Sequence, residues 1–141
     1  MKKSYFILTL FLLFSGYLSQ SQPISVASYI DPFIGTGGHG HTYPGASLPF
    51  GMVQLSPDSG IDGWDWCSGY HSSDSIIIGF SHTHLSGTGS SDLGDILLMP
   101  FSGNAKLHTG AGVKSRFNHK NEKASAGYYS VYLTDSKVNA E

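Results

Sequence analysis

Residues 128–141 read "YYSVYLTDSKVNAE". A β-prone run from Tyr128 to Thr134 meets the turn pair Asp135-Ser136, and Lys137 then begins a return strand. Working back from this end, apolar runs stay short and are bounded by Gly, Pro, Ser and Asp. Candidate strands are Gly51–Leu55, Ser75–Phe80 and Asp95–Met99, with helical periodicity hard to find anywhere between them. The expected class is all-β. The return strand "KVNAE" stops in mid-course, which would leave an open pairing edge, so a truncated domain is expected. Between the strands lie long Gly-rich loops at 35–49, 56–74 and 81–94, and loops of that length are uncommon unless functional. The segment Gly103–Lys123 is a polar connection with no legible fold.

At the other end, Met1-Lys2-Lys3 is a short basic head before the apolar run YFILTLFLLF at 5–14. That run is of secretory-signal length and short for a membrane span. Ser19-Gln20-Ser21 supplies small residues for cleavage after Ser21. The expected organisation is therefore a signal peptide at 1–21 and an incomplete β-sandwich domain at 22–141, exported to the periplasm or outside the cell, with no membrane attachment after cleavage. Export removes Lys2 and Lys3 and no acid, which moves the formal charge from −2 to −4. Such a surface lacks the basic patch that nucleic acid requires. The single Cys67 rules out a disulfide-stapled scaffold. Plentiful aromatics and sparse charges describe a folded chain with one small core.

Three constellations carry possible chemistry. "IGTGGHGHTYPGASLPFG" at 34–51 is too rich in glycine and proline to pack as a regular element. It is not a phosphate loop, because no Lys-Ser/Thr follows the glycines. The pairs His39/His41 and His82/His84 have i,i+2 spacing, which on a strand places both rings on one face. Such pairs suit zinc or another transition metal, although hydrogen bonds to loop backbone, Asp58, Asp92 or Asp95 account for most of them more simply. "GWDWCSGYHSSD" at 63–74 sets Trp64, Trp66 and Tyr70 beside Asp65, His71 and Asp74. A sugar ring presents C–H faces ringed by hydroxyls, so its site needs flat apolar groups and fixed polar groups side by side. Either indole could equally be core.

Taken together, "YIDPFIGTGGHGHTYPGASLPFGMVQLSPD" at 29–58, "GWDWCSGYH" at 63–71, "IIGFSHTHLSGTGSSDLGDILLMP" at 77–100 and "NEKASAGYYSVYL" at 121–133 resemble the N-terminal domain of glycoside hydrolase family 92. The family comprises secreted bacterial exo-acting α-mannosidases, many cutting α-1,2-linked mannose from N-glycans. The resemblance implies a β-supersandwich similar to galactose-mutarotase-like folds, followed by a C-terminal (α/α)-barrel. It implies an active site between the two domains, a calcium ion held mainly by the other domain, and inversion by an acid and a base that both lie in that domain. No catalytic residue and no metal ligand is then expected in this chain. Its loops would contribute sugar contacts, for which Trp64, Asp65, Trp66, Cys67, His71, His39 and His41 are the candidates. The glycine loop would shape the domain-interface wall, its glycines permitting close backbone approach. The expected partners are mannose-containing glycans and the missing C-terminal catalytic domain. Two other classes stay open: a free-standing sugar-binding β-sandwich without catalysis, and a His-cluster metalloenzyme.

Overall fold

The computed structural model describes residues 25–60, 62–87, 89–90, 92–103 and 112–141. The signal-peptide segment and its cleavage point lie outside these residues. Among them the chain is all-β, with no α-helix and three short 3-10 turns at Val26–Tyr29, Trp64–Trp66 and His119–Asn121. The strands are β1 Ser56–Asp58, β2 Ile76–Ile77, β3 Gly79–Ser81, β4 Ser115–Arg116, β5 Glu122–Ser125, β6 Tyr128–Leu133 and β7 Val138–Ala140. All pair antiparallel: β1 with β3, β2 with β4, and β5-β6-β7 as a three-stranded sheet.

The C-terminal hairpin forms where the sequence places it. Val131 pairs with Ala140 and Leu133 with Val138 across the turn at 134–137. On β6 the side chains of Tyr129, Val131 and Leu133 share a face, as residues two apart must on a strand, and all three are buried. Tyr70, Ile77 and Phe117 complete the core cluster, with Phe33, Phe80 and Met99 packed against it. Opposite, Tyr128 and Tyr132 stay in water. Residues 75–80 also extend as expected, but as two strands, since β2 faces β4 while β3 turns to β1.

Elsewhere the structure corrects the expected boundaries. Gly51–Leu55 is not a strand; only Leu55 makes an isolated bridge, to Ala46, and pairing begins at Ser56. Asp95–Met99 contributes a single bridge, Phe80 to Leu98. Most apolar side chains of the two segments face outward, with Met52, Val53, Ile96 and Leu97 exposed and Met99 alone packed against the core, so hydrophobic character there does not report a core strand. Conversely, the polar stretch that looked like connection contains β4, a 3-10 turn and the start of β5. Its order comes from partners distant in sequence. Arg116 on β4 meets the Asp135 carboxylate at 2.6 Å, and the Arg116 N–H donates to the same group at 2.8 Å. Those hydrogen bonds lower the Asp135 carboxyl to about 2.

Glu122 opens β5 with its side chain 2% exposed. Its carboxylate accepts from the Tyr129 hydroxyl at 2.6 Å and the Tyr70 hydroxyl at 3.0 Å, and contacts His119 Nδ1 at 2.7 Å. Burial first, and the adjacent Glu122 second, push both phenols well above the usual tyrosine range, which keeps them as donors. Removing a donor from a buried charged group costs about 1–3 kcal/mol. Tyr129→Phe is therefore expected to lower stability by that amount in urea unfolding, whereas Tyr132→Phe, on the solvent side, leaves the midpoint in place. Equal midpoints for the two variants would show that the buried carboxylate does not depend on its phenol donors.

Candidate functional site

The Gly-Trp-Asp-Trp-Cys segment folds as a tight turn. Gly63 takes φ +98°, a conformation L side chains rarely adopt, and the Trp66 N–H returns to the Gly63 carbonyl at 3.3 Å. The two indoles leave this turn with different fates. Trp66 is partly buried, and its Nε1–H donates to Asp74 Oδ2 at 2.6 Å. Its ring lies 5.1 Å from that of His71, and Gly60 sits so close to Cδ1 that a side chain there would displace it. Asp74 also accepts from Ser59 Oγ at 2.6 Å, and the Ser59 hydroxyl in turn accepts from the His71 N–H. Trp64, by contrast, is 61% exposed.

The glycine loop folds against the same turn. His39 Nδ1 meets Asp65 Oδ1 at 2.7 Å, with the imidazole largely in solvent. His71 is buried and both its ring nitrogens are occupied. Nδ1 accepts from the Ser73 N–H, which leaves Nε2–H to donate to the Gly38 carbonyl at 3.1 Å. Ser73 Oγ adds a second contact to Nδ1 at 2.7 Å. The Ser72 N–H donates to the Thr36 carbonyl, a second tie between the loops. His41 is buried and stands edge-to-face with Trp64, ring centroids 4.9 Å apart. Cys67 is buried behind the turn. The expected set thus comes together in one place from two loops, but only part of it faces outward: Trp64, His39 and Asp65. The glycines' close approach is largely internal. A side chain at Gly40 would strike the Gly35 backbone, and one at Gly37 would strike Ser72.

The second histidine pair is spent on structure. His82 Nδ1 donates to the Ile96 carbonyl at 2.8 Å. His84, buried, places Nδ1 on the Gln54 carbonyl at 2.6 Å and Nε2 on Asp58 at 2.8 Å and Ser81 Oγ at 3.0 Å. Among the described residues no three His, Cys, Asp or Glu side chains stand close enough to share a metal ion. A six- to eight-oxygen calcium shell therefore does not fit the described residues taken alone. A cavity of about 600 Å³ is an apolar groove lined by Leu55, Phe80, Leu98, Met99 and Tyr128, and none of the sugar-site candidates borders it.

These two loops fall within a match to a known family. The profile of the glycosyl hydrolase family 92 N-terminal domain covers residues 29–141. The chain belongs to glycosyl hydrolase family 92. Among solved members of the family, an α-mannosidase from Bacteroides thetaiotaomicron superposes with a TM-score of 0.74 at 47% identity. That match spans 81% of this chain and 16% of the neighbour, whose structure is also known in complex with mannoimidazole. An inverting family 92 mannosidase from Bacteroides thetaiotaomicron VPI-5482 gives a TM-score of 0.59 at 30% identity, over 83% of this chain and 16% of its own. An uncharacterized secreted glycosidase from Arthroderma benhamiae is 40% identical over 95 residues, 67% of this chain and 12% of that protein. The chain therefore spans a sixth or less of the length of each of these relatives. Among the described residues no helix is long and apolar enough to cross a membrane.

The sequence marked Asp74 as a polar group near the tryptophans; its work as the anchor of Trp66 needed the fold, because eight residues separate them. In a Trp64→Phe background, where Trp66 is the sole indole, Asp74→Ala is expected to red-shift the emission and raise acrylamide quenching. An unchanged spectrum would mean that Trp66 is held by packing alone.

Proposed function

We propose that this chain is the N-terminal part of an exported, exo-acting, inverting α-mannosidase that trims α-1,2-linked mannose from N-glycans or mannans, with Trp64 as its sugar platform. The observation that carries the reading is the contrast between the indoles. Trp66 is fixed by Asp74, and on that fixed turn Trp64 stays 61% exposed beside the His39–Asp65 pair. An exposed aromatic face flanked by an imidazole and a carboxylate is what stacking under a pyranose and reading its hydroxyls require. Membership of family 92 and the mannosidase neighbours support the substrate class.

The chemistry itself falls to residues beyond this chain. Inversion needs an acid and a base set roughly 6.5–9.5 Å apart around the bond. Four of the ten carboxylates here are engaged in holding the fold. Glu122 is enclosed by tyrosines, Asp58 holds His84 and the Ser81 N–H, Asp74 holds Trp66, and Asp135 holds Arg116. The calcium ion expected for the family would take its ligands chiefly from the C-terminal domain, where it would bind mannose hydroxyls.

Two outcomes are expected. Purified residues 22–141 release no mannose from α-1,2-mannobiose, with or without calcium; calcium-dependent release would place the acid and base in this chain. In the full-length polypeptide carrying this segment, Trp64→Ala lowers kcat/KM by about 10- to 100-fold, from lost stacking and lost contact area. Its melting temperature changes little, since the indole is exposed. Trp66→Ala instead lowers the melting temperature, because its Asp74 bond and its packing on His71 are lost. Normal kinetics in Trp64→Ala would remove the platform from the mechanism.

A further inference from the structure

His41 is 9% exposed, and its Nε2 has no hydrogen-bond partner among the described residues. A buried ring nitrogen left unpaired is costly, and each such exception in a folded protein calls for a physical reason. The surroundings narrow that reason. The main chain of His41 is fixed, since its carbonyl accepts from the Gly87 N–H at 2.6 Å. The ring's aromatic neighbour is Trp64, at 75° between planes, and an indole face is a weak partner for a ring nitrogen. The neighbouring imidazoles of this corner are already committed, His39 to Asp65 and His71 to Ser73 and Gly38. Among the described imidazoles of this corner, His41 alone has a buried ring nitrogen without a partner, and its ring packs against the exposed Trp64.

Trp64 is also the less restrained of the two indoles. Trp66 is tied by Asp74, whereas among the described residues the Trp64 ring makes no hydrogen bond and is held by packing on Gly89 and His41. Nearby, Gly87, whose N–H holds the His41 carbonyl, and Gly38, whose carbonyl holds His71, adjoin open space, with nothing within 4 Å of a side chain built at either position. A pyranose supplies what this corner lacks: an apolar C–H face for the indole and a hydroxyl for the orphan nitrogen.

We propose that His41 Nε2 is a hydroxyl-reading group of the sugar site, covered by Trp64 in the free protein and uncovered when that indole shifts to stack on the sugar. The inference rests on the Trp64 platform proposed above and adds the atom that discriminates among hydroxyls. A buried, unpaired nitrogen is suited to that task, because a sugar lacking the matching hydroxyl leaves it unsatisfied again.

The test measures binding of methyl α-mannoside and its monodeoxy analogues to the full-length polypeptide by calorimetry. One monodeoxy sugar is expected to bind about tenfold more weakly than the parent. His41→Phe, which keeps a ring and removes both nitrogens, is expected to bind the parent about tenfold more weakly and to lose the discrimination against that one analogue. His41→Gln should recover part of both. A second readout needs no variant: with 15N-labelled histidine, one ring nitrogen shifts on adding the parent sugar and stays put with the matching deoxy sugar. Wild-type ranking of every analogue by His41→Phe, or no responsive ring nitrogen in the wild type, would overturn the inference while leaving the platform intact. If Trp64→Ala binds every sugar as the wild type does, the platform itself fails.

Discussion

A carboxylate taken out of water has to be met by donors, and the way Glu122 is met organises the described part of this molecule. The three groups around it come from three places: Tyr70 from the long loop, Tyr129 from the central strand of the C-terminal sheet, and His119 from the turn before β5. Each must arrive for the charge to be tolerated, so the loop cannot leave the sheet without stranding a buried ion. His119 extends the tie, since its Nε2 donates to the Asp74 carbonyl at 2.9 Å. The Asp74 side chain then holds Trp66 and Ser59. A continuous set of hydrogen bonds thus runs from the core to the turn that displays Trp64. It fixes geometry; coupling along it is a separate matter.

Glycine has an uncommon share of the construction. In a loop with no ladder to satisfy its backbone, close packing replaces periodicity, and close packing between two backbones excludes Cβ atoms. Gly40 lies on Gly35, Gly45 lies on the backbone of Leu55 and Ser56, and Gly89 lies under the ring of Trp64. The glycines were expected to make room for another domain or a ligand. They mostly make room for the protein itself, which is why two loops of irregular backbone can hold a cluster of side chains in register. Gly38 and Gly87 bond to their neighbours only through their backbone, and a side chain built at either would meet open space.

The division between the two tryptophans follows from a simple limit. A small all-β chain with one core cannot bury every aromatic it carries, and a polar loop offers few apolar surfaces to bury them against. An indole in such a loop is either pinned by its N–H or left in water. Trp66 is pinned and Trp64 is left out, two residues apart on one turn. The same limit sorts the histidines. His71 and His84 spend both ring nitrogens, and His82 its Nδ1, on neighbouring backbone and side chains, whereas His39 pairs with Asp65, the residue after the exposed indole, and His41 packs on that indole.

The sequence by itself determined the all-β class, the hairpin of β6 and β7, the family and the two loops that hold the candidate site. Each of these is written in local chemistry: turn residues between apolar runs, or blocks of residues in fixed order. What only the tertiary structure decided depends on partners far apart in the chain. That Glu122 is a buried hub rather than part of a polar linker follows from Tyr70, 52 residues away. That Gly51–Leu55 and Asp95–Met99 are exposed rather than core strands follows from the absence of a neighbouring ladder in the described structure, which no run of apolar letters reveals. The opposite fates of Trp64 and Trp66 could not be told from a Gly-Trp-Asp-Trp motif, because the deciding contact is a hydrogen bond to Asp74 across a folded loop. Local sequence sets what a segment can become, and long-range pairing of buried polar groups decides which of those forms it takes.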